Sequence, residues 1–184
     1  NSETGIAQKI VLPPETTTET FVNTNAWLTS ENPSVAVLAD GGHVVVWSGN
    51  PIGFLDRFIF GQRYDAAGEK VGSEFRVDIG SGFEQQFPSV AGLAGGGFVV
   101  TWKDTNNFTD FARVFDASGA PAGATFQVAQ HADFNDPSVT ALSGGGFAVS
   151  WQIGGPFTGI DGQVFVQIFD VTGAPVGPEF QVNS

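Results

Sequence analysis

Three times along the chain a glycine turn feeds a short apolar strand that ends in tryptophan. The copies are Gly41-Gly42-His43-Val44-Val45-Val46-Trp47, Gly95-Gly96-Gly97-Phe98-Val99-Val100-Thr101-Trp102 and Gly144-Gly145-Gly146-Phe147-Ala148-Val149-Ser150-Trp151. Each follows Pro-Ser-Val at a fixed distance, with Pro33, Pro88 and Pro137 each 14 residues before their tryptophan. A unit repeated in register confines a chain to repeat architectures, because each copy must bury its apolar faces against its neighbours.

Each unit reads as four short strands. The first repeat gives Pro33–Ala39, His43–Trp47, Phe58–Asp65 and Glu74–Asp78; the second gives Pro88–Ala94, Phe98–Trp102, Phe111–Asp116 and Thr125–Ala129. The third gives Pro137–Leu142, Phe147–Trp151, Val164–Asp170 and Glu179–Asn183. Asp65, Asp116 and Asp170 stand 10 residues before Phe75, Phe126 and Phe180, and successive repeat tryptophans lie 55 and 49 residues apart. Four strands per ~50 residues is the spacing of β-propeller blades. Alternation agrees, since Phe98, Val100 and Trp102 share one face of their strand while Val99 and Thr101 share the other. A strand apolar on both faces lies between two sheets. The expectation is an all-β, β-propeller-like domain of three four-stranded repeats (33–87, 88–136 and 137–184) behind an N-terminal arm, 1–32. A β-sandwich or an elongated β-stack satisfies the same pattern.

Composition narrows the function. The 19 acidic residues outnumber the 7 basic ones for a net charge of −12, which repels nucleic acid and anionic membrane surfaces. No window reaches the ~18 apolar residues of a spanning helix, so membrane insertion is not expected. Without cysteine there are no disulfides, zinc-thiolate sites or thiol nucleophiles. No HExxH, Walker, dinucleotide or nucleophile-elbow motif occurs, and His43 and His131 occupy unrelated places in the repeat, so the chain reads as a non-enzyme with no cofactor.

The unit Pro-Ser-Val-x-x-Leu-x-x-Gly-Gly-Phe-x-Val-x-Trp, then Arg-Tyr-Asp-Ala-x-Gly and Glu-Phe-x-Val-Asx, resembles repeats found in tandem in very large bacterial secreted proteins of the RTX and adhesin type. Glu179-Phe180-Gln181-Val182-Asn183 matches their final strand, and the likeness covers residues 33–184. It implies an exported or cell-surface, repetitive, adhesive protein and supplies no catalytic residues. The calcium-binding nonapeptide Gly-Gly-x-Gly-x-Asp does not occur.

Two groups of residues are candidate ligand contacts. Trp47, Trp102 and Trp151 offer indole faces on which sugars stack, or they fill the space between blades. The loops between second and third strands each carry a phenylalanine with an aspartate soon after: Phe54 and Asp56, Phe108 and Asp110, Phe157 and Asp161. An aromatic platform beside a carboxylate suits a neutral glycan, and aspartate with backbone carbonyls would also suit Ca²⁺. Turn chemistry alone explains the same residue types, as it does for Asp65, Asp116 and Asp170. Two functions follow. One is a lectin-like or adhesive binding module working through loops at one end of the blades. The other is an assembly subunit whose open flanks and arm bind another protein, or complete a propeller as a homo-oligomer or within a larger repeat array. In the arm, Ile10–Leu12 is expected to pair as an outer strand, Thr16–Thr20 to be a solvent loop, and Phe21, Val22, Trp27 and Leu28 to pack on the first blade or on a neighbouring chain.

Overall fold

The computed structural model describes residues 22–23, 28–51, 56–78, 84–130, 136–155 and 160–183. The expectations for Ile10–Leu12, Thr16–Thr20, Phe21, Trp27, Phe54, His131 and Phe157 lie outside them, as do the side chains of Leu28 and Asp161. The described residues form twelve strands and no helix. They are β1 (Leu28–Val37), β2 (His43–Pro51), β3 (Phe58–Tyr64), β4 (Lys70–Arg76), β5 (Gln85–Gly92), β6 (Phe98–Asp104), β7 (Thr109–Phe115), β8 (Phe126–Gln130), β9 (Ser138–Ala141), β10 (Phe147–Gly155), β11 (Ile160–Phe169) and β12 (Phe180–Gln181). They make three antiparallel sheets of four, each an up-and-down meander in sequence order, and each sheet is one blade. The first strands gather side by side, β1 against β5 and β5 against β9, so the blades fan out from that line. The fan does not close into a ring.

The repeat glycine is there for two reasons. Gly41, Gly96 and Gly145 have positive φ in the turn between first and second strands, where the Leu38, Leu93 and Leu142 carbonyls accept their amides. The next glycine, before the strand's aromatic residue, is needed for close approach. A Cβ on Gly42, Gly97 or Gly146 would come within 2.1–2.2 Å of the carbonyl oxygen of Tyr64, Phe115 or Phe169 on the third strand. The repeat aspartates also have local work. Oδ1 of Asp65, Asp116 and Asp170 each accepts two backbone amides of the turn it opens. Bonds from Ser118 and Thr172 to Asp116 and Asp170 hold those two carboxyls below the usual range.

The core lies between blades. One cluster joins Leu38, Val44, Val46, Ile59 and Val77 of blade 1 to Val90, Phe98, Val100, Trp102 and Phe115 of blade 2. A second joins Ala91, Val99, Ala112 and Val114 of blade 2 to Val139, Phe147, Val149, Trp151 and Phe169 of blade 3. Every β6 residue is buried, because β6 has a blade on each side. Serines of the Pro-Ser-Val motif pin blade to blade. The Val90 amide donates to Ser34 Oγ (3.3 Å) and the Val139 amide to Ser89 Oγ (3.2 Å).

The inner strands differ from expectation at their start. β1 and β5 begin several residues before the proline and carry a bulge between Glu31 and Ser34 and between Gln86 and Ser89. Asn32 and Phe87, each just ahead of the proline, take positive φ (52° and 54°) to make the bend.

Candidate functional site

Trp102 and Trp151 sit in the walls between blades, Trp47 lies on the outer flank of blade 1, and none of the three has an exposed ring face. Trp102 is fully buried and Trp47 and Trp151 are 3% exposed. Each lies beside its cross-strand phenylalanine: Trp47 with Phe60, Trp102 with Phe111, Trp151 with Phe165. The sugar-stacking reading is thereby corrected in favour of packing. Trp102 also donates its indole N–H to Gln85 Oε1 at 2.8 Å.

The aromatic–aspartate pairs are likewise not arranged as platforms where they are described. Asp110 lies in β7 and is 3% exposed, with Lys103 Nζ at 3.3 Å. Burial pushes its carboxyl up to about 6, against the pull of the Lys103 ammonium, and Asp136 of blade 3 adds to the rise. An ammonium already holds this carboxylate, so it is available neither to a glycan hydroxyl nor to Ca²⁺. Phe108 is half-buried in the turn before it, at φ 51°. Asp56 stands half-buried at the edge of β3. Asp104 caps the turn, accepting the Asn106 and Asn107 amides and the Asn107 side chain, so these asparagines serve the turn. Among the described residues no three carboxylate or imidazole groups converge as a metal-ligand set. His43 stacks on Tyr64, ring centres 4.7 Å apart and nearly parallel, which gives it a packing role.

Charge gathers where β1 and β5 begin and β2 and β6 end. Arg57 bridges the first seam, bonding Glu31 at 3.0 Å and Gln86 at 2.8 Å with Glu84 at 3.9 Å. The non-glycine residues with positive φ, Asn32, Glu84, Phe87 and Phe108, belong to this same end of the blades. At the opposite end a shallow hollow of about 440 Å³ lies among the first turns of all three blades, walled by Leu38, Leu93, Leu142 and backbone, with no charged group.

The two flanks of the fan are open. Val35 and Val37 on the outer side of β1 are 64% and 74% exposed, whereas Val90 and Val139, at the place of Val35 in the next blades, are 7% and 8% exposed. On the far side Val182 is 54% exposed, where its counterpart Val77 in blade 1 is fully buried. Ser138, the third serine of the series, is exposed, and its hydroxyl has no hydrogen-bond partner among the described residues. Part of the blade 1 flank is covered: Val22 and Asn23 of the arm lie over Val45 and Trp47, and Lys70 Nζ donates to the Val22 carbonyl at 3.0 Å.

No protein family and no curated protein matches the chain. Two of the solved structures that share its fold show the extent of the likeness. One is a GH43 endo-arabinanase from Bacillus licheniformis, with TM-score 0.51 and 14% identity over 84% of this chain and 60% of that one. The other is a protein of unknown function from Dyadobacter fermentans DSM 18053, with TM-score 0.59 and 11% identity over 84% and 56%. At such identities the likeness is one of fold alone. The chain spans less than two thirds of either neighbour. The arabinanase is a five-bladed β-propeller. The chain is therefore β-propeller-like, and its three sheets leave the circle incomplete.

Proposed function

We propose that this chain is a non-enzymatic, extracellular or cell-surface assembly module that works by docking polypeptide onto the open flanks of its blade stack. One observation carries the reading. Residues at equivalent positions are buried or half-buried where a blade lies next to them and exposed at the two ends of the stack, as Val35 against Val90 and Val182 against Val77. Covering Val35 and Val37 alone would stabilise a contact by a few kcal/mol, at about 25 cal/mol per Å². Ser138 supplies a polar anchor of the kind used at both internal seams. The lectin-like alternative is less well supported, because Trp102 and Trp151 are packed away and Asp110 is held by Lys103. A substrate has no access to that carboxyl either, although it titrates near neutrality.

The test places a photo-crosslinking amino acid at Val35 or Val182 in cells that make the protein, with Ser118 on an exposed turn as control. Adducts to polypeptide from both flank positions and none from Ser118 are expected. Equal labelling from all three, or none from the flanks, would overturn the proposal.

A further inference from the structure

The blade 1 flank contains a pocket of about 120 Å³, lined by Val22, Asn23, Ser30, Pro33, Val45 and Trp47 and also by Glu31. The indole N–H of Trp47 is buried and has no hydrogen-bond partner among the described residues. A buried N–H left without an acceptor is costly, so its surroundings deserve comparison with the next blade, where the same group is satisfied.

The register supplies that comparison. Gln85 pairs with Asp104, two residues after Trp102, and Ser30 pairs with Gly49, two residues after Trp47. Both inner strands carry their bulge just downstream, so Ser30 stands where Gln85 does. In blade 2 the Gln85 carboxamide fills this place and accepts the Trp102 N–H at 2.8 Å. In blade 1 serine is too short to do so, and its Oγ accepts instead from Asn23 Nδ2 at 3.3 Å. By that register the Trp47 N–H lies on the side of the pocket that Ser30 lines, and it is buried there. Val45, Pro33 and Val22 wall the rest with apolar atoms, and Asn23 adds a polar side chain from the arm.

We infer that this pocket is a binding site for a neutral carboxamide, the glutamine or asparagine side chain of a polypeptide laid on the blade 1 flank. Its carbonyl oxygen accepts the Trp47 N–H, and its methylenes lie against Val45 and Pro33, as Gln85 does for Trp102 from within the chain. That the carboxamide comes from a docked polypeptide rests on the flank reading above. That the pocket takes a carboxamide rests only on Trp47, Ser30 and the space between them. A carboxylate is a poorer fit, because Glu31 is one of the lining residues and the chain is strongly acidic.

Propionamide, the glutamine side chain as a free molecule, is the probe. In ¹⁵N-labelled protein the four indole N–H resonances are assigned by Trp→Phe replacement, and propionamide is titrated in. The Trp47 resonance is expected to move saturably, with a Kd on the order of millimolar for so small a ligand, while that of Trp102 stays in place. Ser30→Gln should fill the pocket from within, shift the Trp47 resonance without ligand and abolish the response. Ser30→Ala keeps the pocket empty and should keep the response. No movement of the Trp47 signal, movement shared equally with Trp102, or an undiminished response in folded Ser30→Gln would each overturn the site. N-acetylglucosamine forms the second arm, and tighter binding of that sugar than of propionamide would overturn the side-chain assignment. If flank crosslinking fails but propionamide binds, the pocket stands and its source in a docked polypeptide falls. The converse result removes the pocket and leaves the flank.

Discussion

Between blades 1 and 2, the cross-strand pair near the outer end of the seam is Ser48 and Ile59; between blades 2 and 3 the same register position holds Lys103 and Asp110. The pair in the first seam is uncharged, with Ile59 fully buried against Val77 and its amide donated to the buried Asp78 at 2.7 Å. The second encloses an ion pair with both members under 4% exposed, and the exposed carboxylate of Asp136, from the next blade, acts on it. Around these positions the seams are alike: Phe98 stacks on Phe115 in one and Phe147 on Phe169 in the other. The repeat thus requires a packed aromatic pair, small residues facing it and a serine pin. The outer position accepts any pair that satisfies itself, and at that position the second seam alone carries a titrating cross-strand pair.

The largest loss of stability comes from removing what the two seams share. Trp102→Ala should cost about 4 kcal/mol in urea unfolding, from lost burial and from a Gln85 carbonyl left without its donor. A loss under 1 kcal/mol would mean the first seam is not the core described here. Next is Lys103→Met, which leaves Asp110 buried without its cation. It should cost about 3 kcal/mol at pH 7 and less at pH 5, where the carboxyl is protonated. A cost that does not depend on pH would show that the pair matters only through packing.

Third is the pH profile of the native chain. Because burial raises the folded-state titration of Asp110 from 3.8 to about 6, the folded protein holds a proton there that the unfolded chain has released. Stability should therefore rise as pH falls from about 6 to about 4, by on the order of 2 kcal/mol. Asp78 and Asp136 shift in the same direction. Below that window Asp116 and Asp170, held low in their turns, act oppositely, and their contribution is lost as they protonate. Asp110→Asn should flatten the upper slope; an unchanged profile would exclude the second seam as its source. The smallest effect is at the pins, where Ser34→Ala and Ser89→Ala should each cost about 1 kcal/mol, similar in both seams. Clearly unequal costs would show that the pins do not hold the two seams alike.

The blades were legible because their markers are tied to backbone geometry. Only glycine fits beside the third-strand carbonyl at Gly97, and Asp116 closes its turn with its own side chain, so both mark strand ends in any copy. The starts of β1 and β5 were not legible. The bend at Asn32 and Phe87 answers to the partner strand and the neighbouring blade, which no local residue announces. In the sequence Asp110 reads as a loop acceptor because it follows Phe108 closely. A signal was there: Lys103 and Asp110 are equidistant from the Asn106-Asn107 turn, so a hairpin centred on it must pair them. The contrast between Ser30 and Gln85 also lies in plain sequence, but it acquires meaning only when both are placed beside their tryptophans.

A fan supported on one side at each end also has an order of coming apart. The middle blade is braced by two neighbours, and each end blade by one, so opening begins at the ends and travels inward, as in a one-dimensional array with nearest-neighbour coupling. The ends are not equal. Blade 1 is held in part by Val22 and by Lys70, whereas blade 3 finishes in β12, two exposed residues paired only with Phe165 and Val166. Those amides should be the first to exchange with solvent, long before any in β6, and the molecule has a grain, loosening from its C-terminal side towards its middle.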